Sequence, residues 1–142
     1  MGKVKLNDII FSPLKIIDTA GGNVRHIIKS SQKNFKGFGE AYFSDINPGS
    51  VKAWKCHNKM HMNLVVPVGC VKFVFYEDNS STFLEKEIGV NDYSLISVPP
   101  GIWCCFMGMG SSTNVILNIA NIIHDPEEVM RLDQADIKYN WS

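Results

Sequence analysis

The sequence predicts an all-β fold, a two-layer sandwich or barrel with one short helix near its C-terminus. About ten apolar segments of strand length recur at roughly 8–12-residue spacing, with turn residues between them, and sandwiches and barrels read this way. One segment, Val71 to Glu77, alternates cleanly, so that Val71, Phe73 and Phe75 share a face. Helix signals gather in a single late stretch, Asp125 to Leu132.

Taken in order, Ile9 to Phe11 and Leu14 to Ile17 are short apolar pieces, and Gly21-Gly22-Asn23 supplies a turn. Val24 to Ile28 reads as a strand. Asn34 to Gly39 is a loop leading into Glu40 to Ile46, which stops at Asn47-Pro48-Gly49. Ser50 to Cys56 and Met62 to Val68 follow as strands, and Gly69 breaks the run. Asp78-Asn79-Ser80-Ser81 turns the alternating strand into Thr82 to Ile88. Tyr93 to Val98, Ile102 to Met107 and Asn114 to Ile123 complete the strands. Asp125 is placed as an N-cap, Pro126 stands at the first helical position, and Glu127 and Glu128 favour the first turn.

With 142 residues, 45% of them apolar and 20% charged, the composition is that of one globular domain spanning 1–142. Lys plus Arg and Asp plus Glu both number 14, so no basic field exists to favour nucleic acid. The cysteines, Cys56, Cys70, Cys104 and Cys105, show no zinc-ribbon or redox-motif spacing. Their pattern and the lack of a leader-like opening lead us to expect reduced thiols in a cytoplasm. The apolar runs are too short to span a bilayer.

Several stretches together resemble a known family. They are Phe38 to Ser44, Pro48-Gly49, Lys52 to Lys59, Met62 to Gly69, Val98 to Trp103, and His124 to Glu128. They are similar to the dTDP-4-dehydrorhamnose 3,5-epimerases and their shorter sugar-nucleotide epimerase and ketoisomerase relatives within the cupins. The resemblance implies a cupin-type double-sheet jelly roll and a nucleotide-sugar substrate. It also implies a homodimer built by exchange of N-terminal strands. At the positions where cupins carry metal ligands, this chain has Lys55, His57, Met62 and Cys104. Protonated Lys is no ligand and Met is a soft, weak one, so no metal and no other cofactor is expected.

The family's catalytic pattern is altered too. Its first His position holds Lys55, its second holds Cys104, and its late Tyr falls near Ile122. The shorter relatives carry a His-x-His-Lys-Lys run, of which Lys55-Cys56-His57-Asn58-Lys59 keeps the second His and the second Lys. His57 is therefore the candidate base, since an imidazole is the side chain best poised near neutral pH. Lys55 is its electrostatic partner. Lys52 stands where the family sets an Arg against the diphosphate; it keeps the charge without the bidentate fork. Asn63, Tyr76, Trp103 and Cys104 complete the candidate substrate-binding set. The function expected is epimerisation or ketoisomerisation of a nucleoside-diphosphate 4-keto-sugar, in deoxysugar or surface-polysaccharide synthesis. The alternative is a non-catalytic cupin that binds a nucleotide sugar or assists a partner enzyme.

Overall fold

The computed structural model describes residues 4–77 and 80–141. Among them twelve strands form: β1 (Ile10–Pro13), β2 (Ile16–Ile17), β3 (Val24–Arg25), β4 (Glu40–Ile46), β5 (Val51–His57) and β6 (Met62–Val68). The rest are β7 (Cys70–Tyr76), β8 (Phe83–Gly89), β9 (Ser94–Val98), β10 (Trp103–Gly108), β11 (Asn114–Ala120) and β12 (Val129–Arg131). One five-stranded sheet runs β1-β9-β6-β11-β4 and a second runs β12-β5-β10-β7-β8, while β2 and β3 pair separately. The pairings between these strands are antiparallel.

The core lies between the two sheets. Val71, Phe73 and Phe75 point into it from β7, as their alternation predicts, and meet Leu64, Val66, Ile96 and Ile116 of the facing sheet. Between β6 and β7 stands Gly69 alone, so the chain passes from one sheet to the other within a single residue. Its φ of +82° is open to glycine, and a Cβ there would lie 2.2 Å from the Asn114 side-chain oxygen. That oxygen accepts from the backbone N–H groups of Cys70 at 2.9 Å and Gly110 at 3.0 Å, pinning the crossing.

The other face of β5, β10 and β7 is buried as well. Trp54, Cys56, Val74, Trp103 and Cys105 pack there beneath Ile137, Tyr139 and Trp141 of the C-terminal segment. Trp54 is wholly buried and meets the rings of Tyr76 and Phe83 at 6.4 Å. Trp54→Ala is expected to cost about 3–5 kcal/mol of stability, through lost burial and the cavity left behind. Urea denaturation measures it, and a loss under about 1 kcal/mol would show that the C-terminal segment does not seal this face.

Two sequence expectations are revised. The strand expected over 24–28 shortens to Val24–Arg25. The C-terminal helix reduces to one 3₁₀ turn, Pro126–Glu128, although Asp125 does cap it, accepting from the Glu127 N–H at 3.0 Å. The chain then extends as β12, because pairing with the edge of β5 satisfies more backbone than an isolated short helix would. In the expected turn at Asp78–Ser81, Asp78 and Asn79 lie outside the described residues. No helix among the described residues is long and apolar enough to cross a membrane.

Candidate active site

Strand β5 builds one wall of a cavity of about 410 Å³ between the sheets. Its period-two alternation sends Trp54 and Cys56 outward, and Ala53, Lys55 and His57 to the cavity side. On β12, Val129 stands opposite His57 and Arg131 opposite Lys55, so Arg131 joins the same wall. Cys104 of β10 faces Lys55 from the other flank. The opposite sheet contributes Tyr42 and Ser44 from β4, Met62 and Leu64 from β6, and Ile116 and Asn118 from β11. Phe73 and Phe106, 5.8 Å apart, supply aromatic lining.

The best-organised group is His57. Its Nδ1 lies 2.5 Å from Glu128 Oε2, and both side chains are buried. Glu128 Oε1 accepts from the backbone N–H groups of Lys59 and Met60, each at 2.9 Å. Burial alone would push the Glu128 carboxyl up. The hydrogen bonds from His57, Met60 and Lys59 outweigh it and hold the group below the ordinary value, as a carboxylate. A carboxylate can only accept, so Nδ1 carries the proton and donates it. The Nε2 lone pair is then left for the cavity, which is the tautomer a general base needs.

Cations gather beside this pair. Lys52 Nζ donates to the Asp45 carbonyl at 2.6 Å and to Ser44 Oγ at 3.4 Å, tying β5 to β4 at the rim. The Lys55 side chain, which is exposed, makes no hydrogen bond or ion pair among the described residues. Partial burial, with the charges of Arg131 and Lys52 behind it, lowers its pKa. Across the cavity the Tyr42 hydroxyl accepts from Asn118 Nδ2 at 3.0 Å, while Asn118 Oδ1 is buried without a partner. Burial pushes the Cys104 thiol well up, so it lines the wall as a neutral group.

Of the residues singled out from the sequence, His57, Lys55, Lys52 and Cys104 come together at this cavity. Three do not. Tyr76 and Trp103 are Cα partners across β7 and β10 on the outward-facing parity, and they pack with Trp54 beneath the C-terminal segment. Asn63 sits on the outer face of β6, where its amide donates to the Asn34 carbonyl at 3.0 Å and its oxygen accepts from Ser97 Oγ at 2.5 Å. It holds a loop instead of lining the cavity. Sequence reasoning missed Glu128 and Arg131, because the segment bearing them reads as a helix. It also missed Tyr42 and Asn118, although alternation alone puts Tyr42 with Ser44 and Ile46, and Asn118 with Asn114 and Ile116.

No protein-family model matches the chain. A probable low-salt glycan biosynthesis epimerase of Haloferax volcanii is 23% identical over 95% of this chain and 89% of its own length. Among solved structures, a sugar 3,4-ketoisomerase from Thermoanaerobacterium thermosaccharolyticum, in complex with TDP, shares the fold. Its TM-score is 0.76 at 18% identity, over 94% of both chains. A dTDP sugar isomerase from Desulfovibrio desulfuricans superposes with a TM-score of 0.86 at 33% identity, over 94% of this chain and 90% of that one. The chain belongs to the dTDP-sugar isomerase family. Membership agrees with the cupin jelly roll and the sugar-nucleotide isomerase resemblance read from the sequence. Within the dTDP-sugar isomerase fold seen here, β5 and β12 carry the distinctive chemistry, a His–Glu pair beside three cations.

Proposed function

We propose that the protein isomerises a nucleoside-diphosphate 4-keto-sugar by moving a proton on a carbon next to the ketone. The observation that carries this reading is the His57–Glu128 pair, which leaves a lone pair aimed at a cavity rich in cations. The α-proton passes to His57 Nε2, and Glu128 steadies the imidazolium that results. Negative charge then develops on the ketone oxygen, where Lys55 stabilises it. Tyr42 stands on the opposite sheet and is placed to serve the other face of the sugar ring as acid. The unpaired Asn118 Oδ1 suits a sugar hydroxyl, which would satisfy a buried acceptor. The diphosphate fits the rim cations Lys52 and Arg131.

The residues at the fold's metal positions do not suit a divalent ion. Lys55 brings an ammonium, Met62 a thioether and Cys104 a thiol that burial keeps protonated, while the Nδ1 of His57 is engaged with Glu128. The reading is therefore a metal-independent isomerase of deoxysugar or surface-polysaccharide synthesis. We place it in the cytoplasm, in keeping with four cysteines that form no disulfide. The family resemblance supports a homodimer, which light scattering would verify.

Incubation in deuterium oxide with dTDP-4-keto-6-deoxyglucose tests the reading. Solvent deuterium is expected to enter the sugar beside the ketone, and none entering with dTDP-, UDP- or GDP-linked 4-keto-sugars would overturn it. Arg131→Ala is expected to weaken dTDP binding by roughly ten- to a hundredfold, the worth of a charge-assisted contact. Calorimetric titration measures it, and unchanged affinity would remove Arg131 from the diphosphate site.

A further inference from the structure

We propose that the C-terminal tail, Leu132 to Trp141, is a strap that positions Arg131 for the diphosphate, with Tyr139 as its anchor on the far side of the sheet. The proposal rests on the diphosphate reading of Arg131 above and adds positioning residues that lie outside the cavity.

The need for a strap follows from β12 itself. It is three residues long and stands at the edge of its sheet, paired with β5 alone. So short an edge strand frays readily, since few hydrogen bonds and no second neighbour hold it. Yet it delivers Arg131 to the cavity wall, opposite Lys55. A guanidinium there can serve a diphosphate only while the strand beneath it stays paired.

The tail supplies what the strand lacks. Leu132 exchanges both backbone hydrogen bonds with Trp54, each at 3.0 Å. The turn Gln134–Asp136 follows, closed by the Asp136 carboxylate, which accepts from the Asp133 N–H at 2.8 Å. From there Ile137, Tyr139 and Trp141 alternate with the exposed Lys138 and Asn140, and their side chains lie against the outer face of the sheet. Tyr139 reaches β8, where its ring stands 5.1 Å from Phe83 and its hydroxyl donates to the Glu85 carboxylate. Trp141 closes on Tyr139 at 4.8 Å. The Lys72 ammonium of β7 stands over both rings, 5.3 and 5.7 Å from their centres, and pairs with Glu85 at 3.7 Å. From β5 to β8 the tail crosses three strand spacings, about 14 Å. It is fastened at both ends, by Trp54 at one and by the Tyr139 cluster at the other.

Strand β5 is the link between strap and site, since Trp54 faces the tail and Lys55 the cavity. A tail that lifts from β8 loosens Leu132 and then Arg131. Glu128 keeps its own hold through the Lys59 and Met60 N–H groups. The strap therefore acts on ligand binding and leaves proton transfer alone. Such coupling is reciprocal, so a ligand that holds Arg131 also holds the tail down.

Calorimetric titration of Tyr139→Ala with dTDP tests the proposal. Affinity is expected to fall roughly five- to tenfold, a usual size for coupling between separate sites. With dTDP-4-keto-6-deoxyglucose, KM should rise while kcat and its pH profile hold. Added to Arg131→Ala, the same substitution should cost no further affinity, because the group that the strap positions is already gone. Hydrogen exchange on the unaltered protein gives a second reading that does not depend on a variant's folding. Binding of dTDP should slow exchange over residues 132–141 several-fold more than over β1, the edge strand of the other sheet. Unchanged dTDP affinity in Tyr139→Ala, an equal loss in the Arg131→Ala background, or tail exchange indifferent to dTDP would each overturn the strap and leave the diphosphate reading standing. Unchanged affinity in Arg131→Ala would remove that reading, and the strap's role with it.

Discussion

His57→Gln is expected to lower turnover by roughly 10²–10⁴-fold, the usual worth of a positioned general base. The side chain remains polar and of similar reach, so it can still bond Glu128 and hold the site's shape. What it loses is the basic lone pair. Because proton removal is the step affected, the loss should appear in kcat far more than in KM. Deuterium incorporation beside the ketone provides a direct reading, since it counts proton abstraction even when the net conversion is small. A parallel melting curve shows whether the variant is folded. Retention of full exchange in a folded variant would move the base elsewhere in the cavity, with Lys55 the next residue to test.

How much of this site the sequence revealed depended on whether a residue's position follows from local rules. The strands of the core were legible because alternation is local. Val71, Phe73 and Phe75 face inward as their spacing predicts, and His57, Lys55 and Cys104 reach the cavity through the same logic. Applied consistently, that logic would also have moved Trp103 and Tyr76 outward, since each neighbours an inward-facing residue on its own strand. Glu128 and Arg131 were beyond it. Asp125-Pro126-Glu127-Glu128 carries every local signal of a helix start, and the turn does form. What stops it from continuing is the unpaired edge of β5, more than sixty residues earlier in the chain, which no local pattern reports. Tertiary pairing therefore decides both the secondary structure and the identity of the partner of His57.

Glu128 is where stability and catalysis meet, and two substitutions separate them. Glu128→Ala strips acceptors from the Lys59 and Met60 N–H groups and from His57 Nδ1 at once. Removing one partner of such a buried set is expected to cost about 3–5 kcal/mol, enough to unfold a marginal domain. Glu128→Gln should be milder, because its amide oxygen can still accept from the two backbone groups. Its NH₂, however, now faces Nδ1 and must donate to it, which moves the ring proton to Nε2. The lone pair then points away from the cavity, so activity should fall by two orders of magnitude or more in a protein that remains folded. The pH dependence follows from the lowered pKa of Glu128. A carboxyl depressed by folding stabilises the native state above its unfolded value, ordinarily 4.5, and that contribution is lost as pH falls through the folded value. Thermal melts from about pH 7 down to about pH 3 should therefore show a steeper acid-side loss in the wild type than in Glu128→Gln. Parallel curves would mean that the carboxylate is not what holds this corner together, and wild-type turnover in Glu128→Gln would show that the ring's tautomer does not set the rate.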